Sequence, residues 1–88
     1  MSSVKASSIR DRITAIACRI LARRGVDTIP GSEDNLREAG LTSLDMVNLM
    51  LAIEAEFDIE VPQAAMTPDN FDTVAAIDAL VSVTQKAA

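Results

Sequence analysis

The chain has 88 residues, of which 49% are hydrophobic and only 2% aromatic, and its net charge is −5. A chain of this length forms one domain at most, so residues 1–88 are interpreted as a single domain. It contains no histidine and one cysteine, Cys18. These counts exclude serine–histidine and cysteine–histidine catalysis, an internal disulfide, and zinc motifs that need histidine or CxxC pairs. We therefore assign no catalytic residue and no metal ligand.

The charge is unevenly distributed along the chain. Residues 1–24 contain six Lys/Arg and one Asp, whereas residues 25–88 contain two Lys/Arg and twelve acids. An acidic body disfavours nucleic acid as a partner, because phosphate backbones are bound by Lys/Arg patches. It favours basic protein partners, although an acid excess also keeps a small domain soluble. No apolar run approaches the ~20 residues that span a bilayer, so we expect a cytoplasmic protein without membrane contact.

The first predicted helix spans about residues 8–24. Its Ile and Ala residues recur at i, i+4, i+7, i+8 and i+11, which is one face of a helix. Ser8 is a candidate N-cap, and Gly25 follows the helix as a stop signal. A loop of about 18 residues, 25–42, comes next. Loops this long are uncommon in small domains and are often functional. One short helical turn within it is expected to direct Leu36 inward.

The second predicted helix spans about residues 43–57 and ends before Pro62, because proline disfavours helix at the preceding residue. Its predicted inward face is wide and apolar and consists of Val47, Met50, Leu51, Ile53 and Phe57. Its predicted solvent-facing residues are acidic: Asp45, Glu54 and Glu56.

Two helices complete the predicted fold. A very short one at 67–71 is indicated by Thr67 as the cap and Pro68 at the first helical position. The last spans about residues 73–83, with Asp72 as its expected cap. Three main helices and one short third helix around one core predict an all-α protein, a small four-helix bundle.

Ser43 is the candidate functional residue. It lies in the first turn of the second helix, where free backbone N–H groups and the helix dipole favour an anion. Since the chain offers it no catalytic partner, Ser43 is better explained as a residue that another enzyme modifies than as a nucleophile. Thr42 and Asp45 also fit an ordinary capping box, which would give this segment a purely structural role. Both interpretations remain open on this segment alone.

Residues 40–47, with the sequence GLTSLDMV, resemble the G-x-D-S-L-[DE]-x-V signature of acyl carrier proteins. The likeness continues through residues 49–62 and ends at 71–77, FDTVAAI. It implies an acyl-carrier-like four-helix bundle that is not an enzyme. In that family a phosphopantetheinyl transferase moves 4′-phosphopantetheine from coenzyme A to the serine that matches Ser43. The cofactor then holds acyl or aminoacyl groups as thioesters. An acyl or amino acid:carrier protein ligase would load them, and a downstream acyl- or aminoacyl-accepting enzyme would receive them.

The second helix is the main recognition surface of acyl carrier proteins, so the resemblance also implies partner contacts there. The candidates are Thr42, Leu44, Asp45, Met46, Val47 and Glu54, and Met46 is expected to be exposed. The chain departs from the family at Thr42, where Asp is usual, and at Asn48 and Ala55, where acids are frequent. Together with the arginine-rich first helix, these departures favour a specialised carrier, such as an aminoacyl carrier, over a housekeeping one. A monomer is the simplest expectation for a domain that visits several partners.

Two other functions compete with the carrier hypothesis. The first is an unmodified acidic helical domain that docks protein partners, and modification of Ser43 distinguishes it from a carrier. The second, a hydrolase that uses Ser43, is disfavoured because residues 40–44 are not G-x-S-x-G and no histidine is available as a base. Five further apolar residues could line a cargo pocket, although such helical stripes more often form plain core: Met50, Ile53, Phe57, Phe71 and Ile77.

Overall fold

The computed structural model describes residues 8–87, whose regular elements are all helical. In chain order these are α1 (Ile9–Arg23), α2 (Leu36–Ala39), α3 (Ser43–Phe57), the 3-10 turns Gln63–Ala65 and Pro68–Phe71, and α4 (Val74–Ala87). The prediction of an all-α protein with three main helices is confirmed. The short helix predicted at 67–71 corresponds to the second 3-10 turn.

Helix α1 begins and ends where the sequence indicates. The Ser8 Oγ accepts a hydrogen bond from the Asp11 N–H at 3.1 Å, which caps the first turn. At the other end Gly25 adopts a φ of 78°, a left-handed conformation that suits glycine and stops the helix. The inward face of α1 packs against α3 and α4. Its buried residues are Ile13, Ile16, Ala17, Ile20 and Leu21.

The buried face of α3 matches the predicted one only in part, because Ile53 and Phe57 are buried as expected but the face is rotated. Val47 and Leu51, expected inside, are 49% and 57% exposed. The helix is apolar on most of its circumference, so apolar periodicity alone does not determine which side is buried. Asp45 also lies on the buried face, where it pairs with Arg24 at the end of α1. Its apolar members are Met46, Leu49, Ile53 and Phe57.

Helix α3 ends at the predicted residue, but not for the predicted reason. Asp58, rather than the later Pro62, ends the helix by adopting a left-handed conformation with φ 52°. The Glu54 side chain then holds the returning chain, because its Oε2 accepts a hydrogen bond from the Val61 N–H at 2.8 Å. Glu54 is half-buried in this role and is not the solvent-facing residue that was predicted.

The long loop between α1 and α3 is anchored to the beginning of α4. The Leu36 N–H donates to the Asp72 carbonyl at 2.8 Å, and the Ala75 N–H donates to the Ser32 carbonyl at 3.0 Å. Leu36 is fully buried, as predicted. These contacts fix the position of α2, and with it one side of the region around Ser43.

Of the two predicted caps near α4, Asp72 is wrong and Thr67 is correct in position only. Thr73, and not Asp72, caps α4, since the Thr73 Oγ1 accepts a hydrogen bond from the Ala76 N–H at 3.0 Å. Thr67 stands at the cap position of its 3-10 turn, but its side chain makes no capping hydrogen bond. Asp72 and Thr73 both satisfy the sequence rule for a cap, and only Thr73 forms the bond.

Helix α4 continues four residues beyond the predicted end at Val83, to Ala87. Within the extension, the Thr84 Oγ1 donates to the Leu80 carbonyl at 2.8 Å, which lets a threonine remain in the helix. None of the helices in residues 8–87 has both the length and the apolar character that crossing a bilayer requires.

The core lies where α1, α3 and α4 meet, and the turn Pro68–Phe71 packs against α4. Aliphatic side chains fill most of it, and two phenylalanines complete it. Its buried residues are Ile13, Ile16, Ala17, Ile20, Leu21, Leu36, Leu41, Met46, Leu49, Ile53, Phe57, Val61, Phe71, Val74, Ile77 and Val81.

Candidate functional site

Ser43 is the first residue of α3, and it is exposed. Its Oγ makes no hydrogen bond to any described residue, and the same holds for the backbone N–H groups of Ser43 and Leu44. Free N–H groups at a helix N-terminus carry partial positive charge and favour a bound or attached anion. The hydroxyl is therefore accessible and lies in surroundings that stabilise a phosphate group.

The residues on either side of Ser43 form the predicted capping box. The Thr42 Oγ1 accepts a hydrogen bond from the Asp45 N–H at 3.1 Å, and the Asp45 Oδ2 accepts one from the Thr42 N–H at 3.0 Å. This reciprocal pair defines the first turn of the helix. Because neither bond involves the Ser43 side chain, the structural role and a functional role of the segment are compatible.

Asp45 does not face solvent, contrary to the prediction. It is 6% exposed, and both carboxylate oxygens bind the Arg24 guanidinium: Nε donates to Oδ2, and Nη2 donates to Oδ1 at 3.2 Å. The same Nη2 is 3.3 Å from the Thr42 Oγ1. The hydrogen bond from Arg24, followed by that from the Thr42 backbone, lowers the pKa of Asp45 from 3.8 to about 2. Reciprocally, Asp45 raises the pKa of Arg24.

A groove of about 290 Å³ opens beside Ser43. Its walls are mostly apolar side chains from α3 and from the segment that follows it, and Arg37 of α2 also lines it. The lining residues are Arg37, Ser43, Met46, Val47, Met50, Met66 and Pro68.

The groove corrects two expectations about apolar residues. Met46 is 6% exposed, so it contributes to the floor of the groove and the core and not to an exposed contact. Among the five residues suggested for a cargo pocket, Met50 alone lines this groove. The other four belong to the buried core: Ile53, Phe57, Phe71 and Ile77.

The outer surface of α3 is uncharged along most of its length. Leu44, Val47 and Leu51 are large, exposed apolar residues at 67%, 49% and 57% exposure, and we call them the α3 stripe. An acidic surface was predicted here. Glu56 is exposed as predicted and pairs with Arg12. Asp45 binds Arg24 and Glu54 binds the Val61 N–H, so the three acids do not form a continuous acidic surface.

Two arginines close to the site were missed in the sequence. Arg24 and Asp45 are 21 residues apart, and no local pattern signals a contact across that distance. Arg37 lies in the loop region, and its approach to Ser43 follows from the anchoring of Leu36 to Asp72. The Arg24–Asp45 contact and the position of Arg37 in the groove depend on the tertiary fold, so the sequence offered no signal that could have revealed them.

The chain belongs to the phosphopantetheine-binding family of carrier proteins. The family profile described as "Phosphopantetheine attachment site" matches residues 11–81. The chain is accordingly a carrier protein whose prosthetic group is 4′-phosphopantetheine, in a family that is not itself catalytic.

Several relatives share most of the chain. Aminoacyl carrier protein 1 of Bradyrhizobium diazoefficiens is 40% identical over 75 residues, which is 85% of this chain and 83% of the relative. Aminoacyl carrier protein 2 of the same organism is 34% identical over 76 residues, 86% of this chain and 85% of the relative. The aminoacyl carrier protein of Agrobacterium fabrum is 42% identical over 69 residues, 73% of this chain and 82% of the relative.

The fold is also similar to a solved structure. A chain in the crystal structure of Bradyrhizobium japonicum glycine:[carrier protein] ligase, complexed with its cognate carrier protein and an analogue of glycyl adenylate, superposes with a TM-score of 0.73. The identity is 39%, and the match covers 86% of this chain and 99% of the other. A second structure of that ligase, complexed with glycylated carrier protein, gives a TM-score of 0.71 at 40% identity, covering 83% and 99%.

The residues around Ser43 fit the prosthetic group. An exposed serine Oγ can form the phosphodiester, and the free N–H groups of the first α3 turn favour its negative charge. The apolar groove beside the serine offers a wall along which an attached arm can lie. Arg37 supplies a cation at that wall.

Proposed function

We propose that Ser43 is the attachment residue for 4′-phosphopantetheine and that the chain is an aminoacyl carrier protein. The observation that carries this proposal is the free, exposed hydroxyl at the first residue of α3, inside the family match and open to an apolar groove. When bound, the cofactor supplies a thiol that holds an acyl or aminoacyl group as a thioester.

The chain's own residues position and present the attachment point. Thr42 and Asp45 fix the first turn of α3, and Arg24 ties that turn to the end of α1. The Ser43 hydroxyl is thereby kept outside every intramolecular hydrogen bond of the described structure, where a phosphopantetheinyl transferase can reach it. Thr42 is exposed beside it and is the residue such a transferase would meet in place of the usual Asp.

An amino acid:carrier protein ligase is the proposed loading partner. The relatives are aminoacyl carrier proteins, and the matched solved structures contain a glycine:[carrier protein] ligase bound to a carrier protein. The α3 stripe, Leu44, Val47 and Leu51, is the proposed contact surface for this ligase and for a downstream aminoacyl-accepting enzyme. Its apolar area would be removed from water in such a complex, which favours association.

The first test is the intact mass before and after incubation with coenzyme A, Mg²⁺ and a broad-specificity phosphopantetheinyl transferase. Wild type should gain one phosphopantetheine, and Ser43→Ala should gain none. A Thr42→Asp variant in the same series reports whether threonine slows recognition. The assignment of Ser43 would be contradicted if Ser43→Ala were modified. It would also be contradicted if both wild type and Thr42→Asp remained unmodified.

The second test concerns the cargo. The modified protein is incubated with ATP, individual amino acids and a purified amino acid:carrier protein ligase, and in parallel with fatty acids and an acyl:carrier protein ligase. We expect an aminoacyl mass increment that hydroxylamine removes, as it does thioesters. Loading with fatty acyl groups alone would leave a carrier protein but overturn the aminoacyl assignment.

A further inference from the structure

The groove beside Ser43 is lined by a charged side chain, Arg37, that forms none of the ion pairs within the described residues 8–87. We propose that Arg37 is the counter-ion of the phosphodiester that joins 4′-phosphopantetheine to Ser43. The inference rests on the proposed attachment at Ser43 and adds a specific binding partner for the phosphate within the chain itself.

The composition of the groove supports this role. Among the described residues that line it, Arg37 alone is charged, and Ser43 lines the same groove. The other lining side chains are uncharged and cannot neutralise an anion: Met46, Val47, Met50, Met66 and Pro68. Because the phosphorus would bond directly to the Ser43 Oγ, the phosphate charge would lie at the part of the groove wall that Ser43 forms.

Arg37 also differs from the arginines that hold the fold together. Arg10, Arg12 and Arg24 each bind a carboxylate, on Asp78, Glu56 and Asp45 respectively. Arg37 makes no ion pair and no side-chain hydrogen bond with any residue between positions 8 and 87. A guanidinium has five donors in a planar fork that matches phosphate oxygens. Its donors are thus available for the modified form of the protein.

The backbone under Arg37 is fixed close to the start of α3. Leu36 is fully buried and bonded to Asp72, and the Leu41 N–H donates to the Leu36 carbonyl at 3.1 Å. Gly40, with φ 129°, makes the turn between α2 and α3. The chain therefore returns from Arg37 to Ser43 through a hydrogen-bonded turn, and an ion pair across it would order little additional backbone.

Nuclear magnetic resonance of matched unmodified and modified proteins tests this directly. The variants are wild type, Arg37→Gln and, as a control, Arg23→Gln, which removes an exposed arginine of α1 that does not line the groove. Intact mass first verifies that each modified sample carries one phosphopantetheine on Ser43. The readouts are the ³¹P shift of the phosphodiester, the Arg37 Nε–Hε resonance, and the unfolding equilibrium constant in denaturant.

On modification of the wild type, we expect the Arg37 Nε–Hε resonance to move, and to move back in about 1 M NaCl, where the Debye length is ~3 Å. The ³¹P shift should change in Arg37→Gln and stay at the wild-type value in Arg23→Gln. Modification should lower the unfolding constant of wild type about two- to fivefold more than that of Arg37→Gln, the range for a surface ion pair. A ³¹P shift that is identical in wild type and Arg37→Gln, or an Arg37 resonance that does not respond to modification, overturns the counter-ion role alone. Failure to modify Ser43 overturns the attachment proposal, and the counter-ion role with it.

Discussion

Around Ser43, adjacent side chains have separate tasks. Thr42 and Asp45 satisfy the helix terminus through their own hydrogen bonds, and Arg24 holds Asp45 from the other side. Ser43 takes no part in these bonds. A residue that is modified after folding benefits from this separation, because its chemistry can change without loosening the helix to which it belongs.

Substitutions at positions 42 and 43 should therefore have opposite consequences. Ser43→Ala removes no intramolecular hydrogen bond of the described structure, so the free energy of unfolding should change by less than ~0.5 kcal/mol while modification is abolished. Thr42→Ala removes the N-cap hydroxyl and should cost about 1 kcal/mol while the serine remains available. Denaturant melts and intact masses of the two variants measure both effects. Loss of folding in Ser43→Ala would contradict a hydroxyl that is free of structural bonds.

The pKa of Asp45 predicts how stability depends on acid. Arg24 and the Thr42 backbone lower that pKa from 3.8 to about 2, so folding favours the ionised carboxylate. The contribution is complete above about pH 4 and is lost as the pH falls through about 2. Between about pH 4 and pH 2, the unfolding free energy should fall less steeply in Asp45→Asn than in wild type. The fall should also be smaller in Arg24→Gln, because the pKa of Asp45 is then lowered less. Denaturant melts between pH 5 and pH 2 measure the slopes, and a wild-type slope in Asp45→Asn would refute this origin.

Individual residues mark the limit of what the sequence predicts here. The cap at Thr42 and the candidate attachment residue Ser43 follow from local spacing, because both the capping rule and the family signature are local. The environment of Asp45 does not, since its partner Arg24 belongs to another helix. Met46 was also misjudged: it looks exposed because it is close to an exposed serine, but it lies on the buried side of α3 with Leu49 and Ile53.

At the level of elements, α3 has one face in the core and one apolar face in solvent. The buried face includes Leu49 and Ile53, both fully inaccessible. The exposed face carries the α3 stripe, with the uncharged residues Asn48 and Ala55 beside it. Contiguous exposed apolar residues often mark binding surfaces, and the stripe lies next to Ser43.

Paired substitutions on α3 distinguish the two faces. Ile53→Ala should cost about 2–5 kcal/mol of unfolding free energy because it leaves a cavity in the core. Leu51→Ala, at 57% exposure, should cost less than ~1 kcal/mol. Conversely, Leu51→Ala should slow ligase loading, which a time course of the aminoacyl mass increment detects. Equal stability losses in a denaturant melt would show that the stripe is part of the core.

The glycine between α2 and α3 is another element-level requirement. Gly40 has φ 129°, and a Cβ at this position would lie 3.1 Å from the Leu21 Cδ2. Gly40→Ala should therefore cost more than ~1 kcal/mol through both backbone strain and crowding. Gly25, with φ 78°, is the control, because a Cβ added there would meet no described atom within 4 Å. Gly25→Ala suffers strain alone, so thermal or denaturant melts should place it between wild type and Gly40→Ala.

Helix positions and the buried side of α1 were largely predictable, whereas the buried side of α3 was not. The bounds of α3 coincide with the predicted 43–57, and those of α1 lie within one residue of the predicted 8–24. Caps and apolar periodicity are local signals that determine such bounds. The buried side of α3 depends on its packing against α1. In the part of α4 past Val83, the Thr84 hydroxyl bonds to the Leu80 carbonyl within the helix, which a pattern of apolar residues does not reveal.

For the molecule as a whole, the basic first helix and the acidic remainder complement each other. Arg10, Arg12 and Arg24 all lie at α1 and reach acids on α3 or α4. The charge asymmetry thus serves the packing of the bundle. It does not leave an acidic recognition surface on α3.

The three ion pairs should not be equivalent. Arg12 also places its guanidinium carbon 4.4 Å from the centre of the Phe57 ring and donates to the Glu56 carbonyl. Arg12→Gln should therefore cost about 1 kcal/mol of unfolding free energy. Arg10→Gln, which loses an exposed ion pair with Asp78, should cost less than ~0.5 kcal/mol. Denaturant melts at low and high salt compare them, and the reverse order would show that the ring contact contributes nothing.

The hydrogen bonds among Thr42, Asp45 and Arg24 would fix the point from which the proposed phosphopantetheine arm extends. A flexible arm samples a volume centred on its pivot, and the effective concentration of cargo at a partner's active site depends on the distance between that site and the pivot. The three side chains bond the start of α3 to the end of α1. Ser43, the proposed pivot of the arm, is thereby fixed in position relative to the bundle. With the proposed attachment at Ser43 and docking on the α3 stripe, the position in which a partner docks would set the distance between Ser43 and its active site, and with it the effective concentration of cargo there.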